Sequence, residues 1–510
     1  MKRRGPGLKL LLAAGAALAL TTLAAASGAS APVVRESVSS AGAQANGHSL
    51  AASISADGRY VAFYSSATNL VAGDTNGARD VFVHDNQTGA TTRVSVSSSG
   101  GQANGQSFSP ALSADGRYVA FYSDATNLVA GDTNNADDVF VHDRQTGATT
   151  RVSVSSGGGQ ADSGSYLPAI NADGRYVAFV SDATNLALGD TNRLRDVFVR
   201  DLATGTTTRV DVATNGDESQ GGPSTAPALS ADGQLVAFSS FAFNLIATDT
   251  NFESDVFVHN LQTGDTSRVS ESAGGFEVDG NSFDPSLSGN GRYVAFDSDA
   301  FDLVPDDSND AVDVFVVDRQ TGLVTRASLD DAGSQANDGS ARPSLNGDGR
   351  FVALSSESTD LVPGDTNGAV DIFIHDNLSG ATTRLSVKAN GVEADGDNIR
   401  PVISADAHFV AFDSQADNLV SGDGNGFSDV FLRDATVAPP PPPPAVRCHV
   451  PRVVGLRLAK ARSRITHAHC RVGRIHRVHS KRVGRVLRQS PHAGAVKPKG
   501  AKVSLTVGRR

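Results

Sequence analysis

The chain has no tryptophan, one methionine and two cysteines in 510 residues. Each shortage excludes something. Without Trp, and without the required spacing, the recurrent Ser-Ala-Asp-Gly turn is not a sialidase Asp box. Both cysteines, Cys448 and Cys470, fall in the tail that starts at Ala445, so the long body before them must be held by packing and not by a disulfide framework. From Ala445 to Arg510 the chain also lacks Asp and Glu altogether, although Lys and Arg recur throughout, and all 55 acids precede it. The net charge of −11 therefore divides into an acidic body and a basic tail, and such a tail either seeks an anionic partner or stays solvated. The tail has no Phe, Tyr or Trp for base stacking, which argues against a nucleic-acid partner. After Ala26 no apolar run is long enough to span a bilayer. Gly-x-Ser-x-Gly elbows, His-Glu-x-x-His and phosphate loops are missing too, so a non-enzymatic protein is expected.

What is present begins with a secretory signal over residues 1–31: Lys2, Arg3, Arg4 and Lys9, an apolar run from Leu10 to about Ala26, then small residues ending at Ala31. Ala26 is an equally good cleavage boundary, since cleavage after Ala31 would leave Pro32 first. Export to the extracytoplasmic envelope, as a monomer, is the expectation.

The body is periodic. The place of Asp57 is taken in turn, at a near-constant spacing, by Asp115, Asp173, Asp232, Asn290, Asp348 and Asp406. Each unit reads as four short strands: Ser53–Ala56, an Asp-Gly turn, Tyr60–Ser65, Val81–His84 and Thr91–Val96. Val61-Ala62-Phe63 and Val81-Phe82-Val83 are continuously apolar, as in strands covered on both faces, and the Phe pair at these two places is read as core between stacked sheets. The seventh unit stops after three strands. Val34–Val38 matches the missing fourth, one period ahead of Thr92–Val96, so the N-terminus is expected to close a ring of seven sheets and remove two open edges. The fold class is all-β.

The runs Ser-Ala-Asp-Gly-Arg-Tyr-Val-Ala-Phe-Tyr-Ser, Asp-Val-Phe-Val-His-Asp and Thr-Gly-Ala-Thr-Thr-Arg-Val resemble the TolB-like, WD-like β-propeller repeat of bacterial envelope proteins. The resemblance covers residues 33–434 and implies a seven-bladed propeller, not a particular ligand. Residues 435–446, with Pro439 to Pro444, read as a stiff linker of roughly 20 Å. Residues 447–510 resemble a PASTA domain: Val450-Pro-Arg-Val-Val-Gly-Leu456, a helix over 458–468, the Gln489-Ser-Pro-His-Ala-Gly494 turn and the closing Lys499–Val507. That resemblance implies a small α+β module associated with peptidoglycan fragments. An isolated cysteine pair in an exported chain also reads as a Cys448–Cys470 disulfide, worth about 3 kcal/mol for a loop of this length.

Three sets of residues are candidates for function. The first is Asp-x-Asn-x-x-x-Asp, kept in all seven repeats: Asp74, Asn76, Asp80; Asp132, Asn134, Asp138; Asp190, Asn192, Asp196; Asp249, Asn251, Asp255; Asp307, Asn309, Asp313; Asp365, Asn367, Asp371; and Asp423, Asn425, Asp429. Oxygen ligands at positions 1, 3 and 7 suit calcium, but the turn Gly and the returning carboxylate of a calcium loop are missing, so structural Asx turns are the competing reading. The second set is basic: Arg474, Arg477, Lys481, Arg482 and Arg485, for peptidoglycan or another anionic wall polymer. The third is a strand position held by His84, His142, His259 and His375 but also by Arg200, Val317 and Arg433, read as a solvent-facing slot. Together these give a secreted envelope scaffold. Its propeller would recognise an envelope protein or glycan on the long-loop face, and its tail would hold the wall. The alternatives are an extracellular propeller hydrolase or lyase, and a calcium-stabilised adhesive structural protein.

Overall fold

The structure is a computed structural model describing residues 33–435, 447–493, 495–498 and 501–510. The expected signal and the proline run lie outside these residues. The chain divides into two compact units, Met1–Thr436 and Val437–Arg510.

In the first unit the repeat folds as expected from its composition. Ser49–Ile54, Tyr60–Ser65, Asp80–Asp85 and Ala90–Arg93 form one antiparallel sheet in chain order, and the pattern recurs to give seven four-stranded sheets among the described residues. Phe63 lies directly opposite Phe82, both fully buried, with ring centroids 6.0 Å apart. Five other blades repeat the Phe pair, and Leu354 opposite Phe373 completes the series. Each core is shared between neighbours: Phe121 and Phe140 of the second blade pack with Ala62, Val81 and Val83 of the first. Burying one such ring contributes about 1.5–3 kcal/mol, so the stack of shared cores holds the ring without covalent help.

The ring closes as the sequence indicates. Val33–Arg35 pairs antiparallel with Asp429–Asp434, with Val33, Val34 and Arg35 opposite Arg433, Leu432 and Phe431. Ala411, Val430 and Leu432 of the seventh blade share a core with Val61, Phe63 and Phe82 of the first. A second tie lies at the Asp-Gly turns. Gly58 has φ +73°, and a Cβ there would stand 2.2 Å from the Phe409 ring of the seventh blade; Gly116 makes the same approach to Tyr60. Only glycine meets both demands.

The innermost strand differs from expectation. It begins at Ser49 and not at Ser53, because a bulge shifts the register between Leu50 and Ser53 and hides the alternation. The bulged residue is left-handed in every blade: Ala51, Ser109, Leu167, Ala226, Asp284, Arg342 and Arg400 have φ between 45° and 56°. Proline follows in six of the seven, at 110, 168, 227, 285, 343 and 401, and having no N–H it cannot continue the ladder. The fourth strand is shorter than expected, ending at Arg93. Because Ser65 pairs with both Ser49 and Asp80, the long loops after the second and fourth strands leave from one rim, and the Asp-Gly and Thr-Gly turns from the other.

The second unit is a small α+β body. Arg471–His479 runs parallel to Lys502–Arg509, which pairs antiparallel with Val486–Ser490 on its other side. The helix Leu458–His467 buries Ala461 and Ile465 against Val453, Val503, Leu505 and Val507. Cys448 and Cys470 form a disulfide within the same core.

Candidate functional site

The Asp-x-Asn-x-x-x-Asp residues converge at the long-loop rim, around a group to which sequence reasoning assigned no role. In the first repeat Arg93, from the end of the fourth strand, places Nη1 3.3 Å from Asp74 and 3.1 Å from Asp80. Asn76 Oδ1 accepts the Ala78 N–H, while its Nδ2 donates to Asp80 and to the Ala103 carbonyl of the loop leading to the next blade. Ser95 Oγ donates to the other Asp80 oxygen at 2.6 Å. The motif thus staples its own loop to the fourth strand and the next connection. Arg151, Arg209, Arg326 and Arg384 likewise contact both aspartates of their repeats, and Arg35 does so for Asp423 and Asp429 across the closure. Arg268 contacts Asp255, Glu271 and Glu277. The signal was in the sequence, since the Arg of Thr-Thr-Arg-Val recurs in every repeat.

Each guanidinium supplies positive charge between the two aspartates of its loop. Burial raises the pKa of Asp249 to about 6, with Asp255 and Glu277 adding to the shift and Arg268 opposing it. A glutamate joins the arginine in three blades, Glu218, Glu277 and Glu393, and in two of them the three carboxylates stand close together. Asp249, Asp255 and Glu277, and likewise Asp365, Asp371 and Glu393, bring oxygens within 4.8 Å of one another, a spacing able to hold a metal ion.

The histidine slot is a correction. His84, His142, His259 and His375 are buried, not solvent-facing, and each ring Nδ1 lies 2.8–2.9 Å from a threonine hydroxyl of the fourth strand. Thr91 in turn donates to the Val38 carbonyl. Burial lowers the pKa of all four. Each imidazole thus braces, within its own blade, the threonine that reaches the preceding connection.

In the second unit Arg474 and Arg477 are exposed on an outer strand, and Lys481, Arg482 and Arg485 are exposed in the segment that follows. Arg485 donates to the Gly455 carbonyl. Among the described residues none of the five has an ion-pair partner, because this unit holds no acidic side chain.

With this geometry in view, residues 449–509 match the PASTA domain family, and the second unit is a PASTA domain. The first unit is a seven-bladed β-propeller whose structural neighbours include TolB-like propellers. TolB from Acinetobacter baumannii is 14% identical over 60% of this chain and 59% of its own, with a TM-score of 0.35. The chain thus spans less than two thirds of that protein. An oligogalacturonate lyase from Vibrio parahaemolyticus is 13% identical over 79% of this chain and 93% of its own, TM-score 0.47. The β-propeller domain of the Trilobed protease from Pyrococcus furiosus is 10% identical over 78% and 99%, TM-score 0.47. A search of curated proteins found no match to the sequence.

Proposed function

We propose that the protein is a non-catalytic component of the cell envelope whose PASTA domain holds an anionic wall polymer such as peptidoglycan while the propeller serves as a rigid recognition body. The observation that carries this reading is the row of exposed, unpaired cations from Arg474 to Arg485 in a domain without a single acid. Such charges attract a polyanion over a Debye length of about 8–10 Å, an attraction that salt weakens. The full-length chain should sediment with purified wall material at low salt and be released at about 0.5 M. Changing all five residues to glutamine should cut retention at least tenfold without altering the propeller's melting; retention equal to that of the parent would refute the proposal.

A second reading is favoured by the two tight carboxylate clusters at Asp249 and Asp365: calcium bound there would make the propeller a metal-stabilised scaffold. Arg268 and Arg384 already supply a cation at these places, so chelation is expected to leave the melting temperature unchanged. A fall of several degrees on adding chelator, reversed by calcium, would favour the metal.

A further inference from the structure

The seven repeats are close copies in their cores but not at the bulge that faces the ring's centre. In the first four blades the left-handed residue is Ala51, Ser109, Leu167 or Ala226; in the last three it is Asp284, Arg342 or Arg400. The second-strand position beside the bulge also varies, with Tyr64, Tyr122 and Val180 in the first three blades, Ser239 and Ser355 in the fourth and sixth, and Asp297 and Asp413 in the fifth and seventh. Leu167, Asp284 and Arg342 are exposed although they lie on the innermost strands, so water reaches the channel at this level. The innermost strands that carry them, Ser282–Leu287, Ser340–Leu345 and Asn398–Ile403, pack on one another in succession, which sets Asp284, Arg342 and Arg400 side by side around one arc of the ring.

The two arginines are differently held. Arg342 is fixed through its backbone, its N–H donating to the buried Asp297 at 2.8 Å, but its guanidinium has no ion-pair partner among the described residues. Arg400 makes one contact, Nη1 to Asp413 at 3.2 Å, and is 39% exposed. Asp413 also receives the Ala51 N–H, which anchors that side of the wall to the first blade. Tyr64, paired with Leu50 beside the Ala51 that Asp413 holds, starts a chain of half-buried rings: Tyr64 edge-on to Phe108 at 5.5 Å, Phe108 stacked on Tyr122 at 5.2 Å, and Tyr122 edge-on to Tyr166 at 5.7 Å. Arg79 and Arg195 cover the outer faces of Phe108 and Tyr166.

We propose that the channel, just inside the long-loop rim, binds a carboxylate-bearing sugar, with Arg342 and Arg400 taking the carboxylate and the Tyr64 ring taking the sugar face. A free guanidinium fork matches a planar carboxylate, and aromatic side chains offer the flat apolar surface a sugar face needs. Asp284 and Asp413 lie beside the arginines, so a monoanion with hydroxyl donors fits better than a phosphate dianion. The proposal deepens the reading of the propeller as a recognition body, and it stands apart from wall retention because it depends on Arg342 and not on the PASTA cations.

The test is a ligand-observed NMR titration of the full-length protein with N-acetylmuramic acid, with N-acetylglucosamine, which lacks the carboxylate-bearing lactyl group, and with inorganic phosphate. N-acetylmuramic acid should bind at least tenfold more tightly than either of the others. R342Q should lose at least tenfold in affinity while melting like the parent and keeping its retention on wall material, and R342K, which keeps the charge but not the fork, should also weaken binding. Unchanged affinity in R342Q, equal binding of N-acetylglucosamine or of phosphate, or no binding of N-acetylmuramic acid would each overturn the assignment.

Discussion

Replacing Glu36 by valine should stabilise the propeller at pH 7.5 by about 3–4 kcal/mol and remove part of its pH dependence. Glu36 sits in the N-terminal segment that closes the ring, its N–H bonded to the Val430 carbonyl. The equivalent positions, Val94, Val152, Val210, Val269, Ala327 and Leu385, are all core residues. Glu36 is fully buried, and neither carboxylate oxygen has a hydrogen bond of ordinary geometry. Burial pushes its pKa up to about 8, with Asn86 pulling slightly the other way. Between the unfolded value near 4.5 and about 8, the folded chain holds a proton that the unfolded chain has released. Stability from this group is therefore complete below pH 4.5 and declines as pH rises towards 8. The measurement is the difference in unfolding free energy between parent and E36V from pH 4 to 9. It should grow through that window and level off above it; a difference independent of pH would contradict the assignment.

Arg268→Ala should have the opposite effect, a loss of about 3–5 kcal/mol, because it removes one partner from a buried ionic group. The Arg268 side chain is 1% exposed, and Asp255, in contact with it, is fully buried. Without the guanidinium, Asp249, Asp255 and Glu277 face one another uncompensated. Burial and the neighbouring acids already raise the pKa of Asp249, so the penalty should be larger at pH 8 than at pH 5, where the carboxyls can take up protons. The same variant bears on the metal question. Millimolar calcium should restore part of the lost melting temperature in R268A and do nothing for the parent. Calorimetry with and without calcium measures both, and no recovery in R268A would mean the three oxygens cannot adapt to an ion.

The fold was legible because one pattern is written seven times. The period, the apolar strand pairs and a last repeat split into three strands at one end and one at the other leave little but a closed ring, and the Cys448 and Cys470 pair likewise met as read. The site was less legible, for identifiable reasons. A histidine beside hydrophobic neighbours looks exposed when it alternates with arginine, and only the threonine across the strand reveals that it is buried. The Asp-x-Asn-x-x-x-Asp loops left an ion and structural Asx turns both open, because the counter-charge lies a whole strand and turn further on, in Arg93 and its equivalents, beyond the reach of a local motif. The bulge was hidden because it breaks the alternation by which an inner strand is found. Yet Asp284, Arg342 and Arg400 stand in the column that varies beside a proline kept in six of the seven repeats.

The closure also sets an order of events for the nascent chain. Val33–Arg35 is made early and its partner strand, ending at Asp434, is the last of the propeller to be made, so the final sheet cannot assemble until the whole propeller region has been produced. Contacts that distant form slowly, and unpaired strands invite pairing with other chains. A chain halted before Asp429 would keep its leading segment and its inner blades but carry raw edges at the gap, which makes unfinished copies easy targets for chaperones and proteases.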